Sequence, residues 1–154
     1  SYLNVDEVED INKTWQFVAK KVGIDTQELK DNILPLAALY SIAEHSRALL
    51  FALSDGGLPS NTGGGYNLRV ILRRALSFND KYGWNLKMPD ICRWHADYLK
   101  PIFPELSLHL DEVEEILEVE NHKYKSTLQK TKQIVDSLKG KEIKTDKLIE
   151  LYDN

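Results

Sequence analysis

Residues 51–78, FALSDGGLPSNTGGGYNLRVILRRALSF, bring together glycines, two asparagines and three arginines. Gly63, Gly64 and Gly65 present backbone N–H groups just ahead of a helix-like run, and such groups can cradle a phosphate. The stretch is not G-x-x-x-x-G-K-[ST] and no strand-like run precedes it, so a nucleotide loop is poorly supported and a plain structural turn stays open. Arg69 and Arg73 fall one helical turn apart on one flank of an apolar stripe, with Arg74 on the other flank. Between residues 61 and 100 the cations Arg69, Arg73, Arg74, Lys81, Lys87, Arg93 and Lys100 outnumber Asp80, Asp90 and Asp97. Tyr82, Trp84, Trp94 and Tyr98 are interleaved with them. That mixture fits a surface facing RNA. It fits as well a set of arginines paired with carboxylates elsewhere, above core aromatics. Cys92 and His95 are three apart on a helix, but two ligands do not make a zinc site. His45, beside Glu44 and Arg47, has no nucleophile near it and reads as a satisfied histidine at the core edge. His109 and His122 read as solvated.

The elements that must position these residues all carry helical periodicity. Val5, Val8, Ile11, Trp15, Val18, Ala19 and Val22 recur at spacings of three and four, so they share one face. Gly23 ends that helix, and Asp25 or Thr26 can cap the next. Pro35 is expected to interrupt it, with an apolar, buried, central helix following over 36–53. The glycine loop is expected over 55–65 and a helix over 66–79, with Leu68, Ile71, Leu72, Ala75 and Leu76 as its core stripe. Tyr66 is expected to pack beneath the loop. A further helix is expected over 89–99, closed by Pro101 and Pro104. From residue 105 one long helix is expected to end at Gly140. Its first half is acidic and its second half basic, which matches the helix dipole and suits a solvated amphipathic helix. Leu110, Val113, Leu117, Tyr124, Leu128, Val135 and Leu138 form its broken stripe. A short helix capped by Thr145 closes the chain. The expected fold is therefore all-α, a multi-helix bundle with a Gly-rich loop and one long C-terminal helix. The 154 residues form one unit, with a division at 1–104 and 105–154 left open.

Bulk properties add exclusions. A hydrophobic share of 42% and a charged share of 29% are ordinary for a folded domain. The net charge of −4 does not suggest a nucleic-acid binder, although a local basic patch can act inside an acidic whole. The single cysteine, Cys92, cannot close an internal disulfide, which suits a reducing cytosol. No apolar run reaches membrane-spanning length and no signal peptide opens the chain.

The run AEHSRALLFALSDGGLPSNTGGGYNLRVILRRAL resembles the central segment of the alanyl-tRNA synthetases. That family carries A-[DE]-H-x-R, an apolar helix, and then D-G-x-x-P-S-N-x-G-x-G-Y-x-L-R-x-[IL]-[IL]-R-R-A. The match runs from Ala43 to Ala75, and LIELYD near the end resembles the family's L-Y-D element. Thr62 sits at a variable family position, and Gly64 at one often held by Arg. The Gly-Gly-Gly form resembles the archaeal branch.

The resemblance implies an excised tRNA-recognition domain, and the sequence opens without Met, as such a piece would. The family's catalytic and editing domains lie on either side, so this piece is expected neither to activate alanine nor to edit. ATP, Mg and an editing-site Zn are implied only for the full-length parent; no metal or cofactor is expected here. The implied partner is the acceptor stem of tRNA(Ala), with the rest of the synthetase in cis. No DNA and no membrane are implied, and a cytoplasmic monomer is expected. The positions matching Asn61 and Asp153 are those that read a G·U wobble pair. Arg69, Arg73 and Arg74 are expected to contact stem phosphates, and Gly63, Gly64 and Gly65 to shape the loop. A helical protein–protein interaction domain is the alternative.

Overall fold

The structure, a computed structural model, describes residues 8–139, and its elements are all helical. Helix α1 (Val8–Val22) is followed by α2 (Thr26–Ser54), α3 (Gly63–Lys81) and α4 (Met88–Leu99). A 3₁₀ turn over Pro104–His109 leads into α5 (Leu110–Lys139). The expected all-α bundle with a long helix after Pro104 is what forms. The start of the first expected helix, residues 5–7, and the short helix expected over 145–154, Asp153 with it, lie outside the described residues.

Local sequence explains most boundaries. Gly23, at φ +81°, turns the chain after α1 and its N–H closes on the Ala19 carbonyl at 2.9 Å. Asp25 then caps α2 by accepting from the Gln27 N–H at 3.0 Å. The connection from α3 to α4 is clamped by Asn79. Its side-chain amide donates to the Leu86 carbonyl at 3.0 Å and accepts from the Leu86 N–H at 3.1 Å.

Ile42, Leu49, Leu50 and Leu53 of α2 form the centre of the core. Against them pack Leu72, Ala75 and Leu76 of α3, then Met88, Ile91, Cys92 and Ala96 of α4. Leu106 from the 3₁₀ turn and Val113 and Leu117 from α5 close the same cluster. Burial of one such side chain contributes about 1.5–3 kcal/mol.

Three expectations are corrected. Pro35 does not end a helix; it lies inside α2. Losing one backbone hydrogen bond there costs about 3 kcal/mol, yet the Asp25 cap on one side and the packed C-terminal half on the other hold the helix through it. The 36–53 segment is not buried all round: Leu36 and Tyr40 are 58% and 74% exposed, and the buried positions are spaced Ala38, Ile42, Ser46, Leu49, Leu50, Leu53. Finally, the three glycines belong to the first turn of α3 rather than to the loop, which closes at Thr62.

Candidate nucleic-acid interface

The loop between α2 and α3 is built by its own backbone. The Gly57 N–H closes on the Ala52 carbonyl at 2.9 Å, and the Ser60 N–H on the Gly65 carbonyl at 3.0 Å. The Ser60 hydroxyl donates to the Thr62 carbonyl at 2.8 Å. These bonds bend residues 57–62 back over the start of α3. Two glycines make the bend possible. Gly63 has φ +61°, a region that side-chain-bearing residues rarely adopt. A Cβ on Gly65 would collide with the Leu58 carbonyl and the Ser60 hydroxyl. Gly64 has open space around it and no such conformation. Tyr66, expected beneath the loop, is 52% exposed instead.

Asn61 stands exposed at the tip of this bend. Its side-chain oxygen accepts a short hydrogen bond from Nη1 of Arg69. Arg69 also forks onto Glu120 of α5, with Nε to Oε2 and Nη2 to Oε1 both at 3.0 Å. A third direction reaches the Pro59 carbonyl at 3.4 Å. Arg69 and Glu120 are nearly enclosed, at 12% and 4% side-chain exposure. Lys123 adds a second cation, 3.2 Å from Glu120. Burial pushes the Glu120 carboxyl up, but the hydrogen bonds from Arg69 and Lys123 and their charges outweigh it and hold its pKa below the usual value. The hydrogen bond to Glu120 raises the Arg69 pKa against its burial.

The three arginines thus separate. Arg69, expected to touch phosphate, spends its donors inside the protein because a buried carboxylate faces it. Arg73 is half-buried, and its Nε has no hydrogen-bond partner among the described residues. Arg74 is exposed, with its guanidinium 5.9 Å from the Phe78 ring centroid. Glu120 escaped notice in the sequence because it sits among many acids. A signal was there: Val113, Leu117, Glu120 and Tyr124 follow helical spacing, so Glu120 is the one acid on the apolar row.

The remaining candidates fall into structural roles. His95 Nε2 lies 3.0 Å from the Ala43 carbonyl and 2.9 Å from the Ser46 hydroxyl. Cys92 Sγ donates to the Ser46 carbonyl at 3.6 Å, and burial pushes its thiol up to about 12. The pair therefore ties α4 to α2. His45 is not the satisfied histidine expected: its Nε2 is buried with no partner among the described residues, and burial followed by the charge of Arg74 lowers its pKa. Tyr82 stacks on Trp84 at 4.8 Å, whereas Trp94 and Tyr98 stand exposed on α4. A cleft of about 690 Å³ lies between the α3–α4 connection and α5. Its lining sets Asp80, Asp90, Glu114 and Glu118 against Lys87, Lys125 and His122, an acidic excess that does not favour a phosphate. Among the described residues no three metal-ligating side chains cluster, and no helix is long and apolar enough to cross a membrane.

The family model described as tRNA synthetases class II (A) matches residues 4–154. The chain belongs to the alanyl-tRNA synthetase family. It is 44% identical over 154 residues to an alanine–tRNA ligase of Methanocella arvoryzae, covering 99% of this chain and 18% of the relative. It is 38% identical over 151 residues to the alanine–tRNA ligase of Nitrosopumilus maritimus, covering 97% and 17%. With that of Caldivirga maquilingensis the identity is 36% over 148 residues, covering 96% and 16%. The chain thus spans less than a fifth of the length of these archaeal synthetases.

Proposed function

We propose that this chain is the part of an alanine–tRNA ligase that grips the acceptor stem of tRNA(Ala) and reads a G·U wobble pair from the minor groove. The observation that supports it most is Asn61, an exposed amide fixed by a buried ion pair at the tip of a bent loop. An RNA helix offers proteins a wide, shallow minor groove, and there only the guanine amino group stands out from otherwise similar edges. A wobble shifts uracil toward the major groove, so that amino group loses its cross-strand neighbour. Asp153, when ionised, is acceptor-only and accepts a hydrogen bond from that amino group, while the Asn61 amide addresses uracil O2 and the guanine edge. Arg73 and Arg74 hold register on the stem phosphates, contacts that carry no sequence information. Arg69 supports Asn61 instead.

The chain acts with the rest of its synthetase in cis, in the cytoplasm, where exposed apolar side chains such as Phe17, Leu36 and Tyr40 give neighbouring segments a surface to cover. ATP, Mg and an editing-site Zn belong to those other segments. Alone, the chain is a monomer that forms no aminoacyl bond.

The test compares an acceptor-stem duplex carrying G·U with one carrying A·U, titrated into the chain at several salt concentrations. The G·U duplex should bind tighter by about 1–3 kcal/mol. Affinity for both should fall steeply with salt as counterions are released. Asp153→Asn should lose the discrimination and keep the unfolding midpoint. Equal affinities for the two duplexes overturn the G·U reading, and a salt-insensitive interaction favours a helical protein partner.

A further inference from the structure

We infer that Arg69 and Glu120 are specificity-determining positioning residues, which hold the Asn61 amide so that its nitrogen, and not its oxygen, is offered to the groove. The inference rests on the minor-groove reading above and names the device that makes the reading selective.

The chemistry of the contact fixes the orientation. An arginine has donors only, so the Asn61 atom facing Nη1 of Arg69 must be the carbonyl oxygen. The Nδ2 end of the amide then points away from Arg69, outward from the exposed tip. The guanidinium is itself immobilised by the fork onto Glu120, two bonds of 3.0 Å in a nearly closed site. A third contact to the Pro59 carbonyl ties the same group to the loop backbone. One planar cation thus joins α5, the loop and the amide.

Fixed position matters because uracil O2 occurs in both G·U and A·U pairs. What differs is its place, since the wobble displaces the base. A donor locked in space separates the two by position, whereas a donor free to swing follows either. Removing only one member of the ion pair would leave a buried charge alone, so both must go together.

The test replaces the pair with apolar residues, Arg69→Met/Glu120→Leu, which removes both charges and keeps the volume filled. Urea unfolding should give a midpoint at or above that of the unsubstituted chain. The G·U over A·U affinity ratio should fall by about tenfold, as far as Asn61→Ala lowers it. Added to Asn61→Ala, the double replacement should change the ratio by less than about twofold. Arg69→Lys is the second variant: it keeps a cation for Glu120 but lacks the fork, and should lower the ratio as well. An unchanged ratio in a folded variant overturns the inference. A second readout needs no RNA. The Asn61 Nδ2 protons should be rigid by NMR relaxation in the unsubstituted chain and mobile in both variants. Equal mobility overturns the positioning role. If the unsubstituted chain fails to separate G·U from A·U, the minor-groove reading falls, and the positioning role is decided by the relaxation data.

Discussion

The two halves of α5 carry similar apolar rows and meet different fates. In the first half Val113, Leu117 and Glu120 are buried, each at 4% exposure or less. In the second half Leu128, Ile134 and Val135 are each more than 40% exposed. Helical periodicity tells which side chains share a face. It does not tell whether another element covers that face. The first half is covered because α4, the 3₁₀ turn and α3 converge on it. That is also where the Arg69 fork reaches across from α3 to set the loop. In α5, then, the half that supports the candidate site is the half built into the core.

The sharpest way to break this comparison is a matched pair of truncations. Leu117→Ala should cost about 2–5 kcal/mol, from lost burial plus the cavity left behind. Val135→Ala, on the outer half, should stay within about 0.5 kcal/mol. Both are read as shifts in the urea midpoint with an unchanged slope. Comparable losses at the two positions would mean that the outer half has a partner within the chain.

A second pair sharpens it at the other end of the fork. Gly65→Ala should destabilise by about 1–3 kcal/mol, because the new methyl meets the Leu58 carbonyl, which cannot move without undoing the loop. Gly64→Ala, in open space within the same helical turn, should be neutral or gain up to about 1 kcal/mol from the better helix former. Thermal unfolding of both variants checks this. Equal effects would place the rigidity of the loop elsewhere than in its return over α3.

Much of this was legible in the sequence. Gly23, Asp25 and the proline-bounded α4 mark boundaries through local chemistry, and Leu72, Ala75 and Leu76 mark the core by spacing. The misjudged points share a cause. Pro35 and the glycine run obey strong local preferences, but tertiary packing overrides them when flanking segments are anchored. Arg69 and Glu120 lie far apart in sequence, so no local rule pairs them. Only the lone acid on the apolar row of α5 hinted that a cation must come to it. The resemblance named Asn61 without its support, because a motif records which residues recur and not what holds them.

The smallest expected effect is the dependence of stability on pH at this fork. The pKa of Glu120 is lowered in the folded chain, so in the unfolded chain it binds its proton at a higher pH. Its contribution is therefore complete above the ordinary carboxylate value of about 4.3 and is lost as pH falls through the lower folded value. Glu120→Gln cannot titrate. It starts less stable, since a neutral amide replaces the partner of a buried guanidinium, but it should lose less between about pH 5 and pH 3 than the unsubstituted chain does. Urea midpoints for the two chains across that range should converge toward acid. Parallel curves would show that the carboxylate at the covered half of α5 titrates as an exposed one does, and the contrast between the halves would then rest on apolar packing alone.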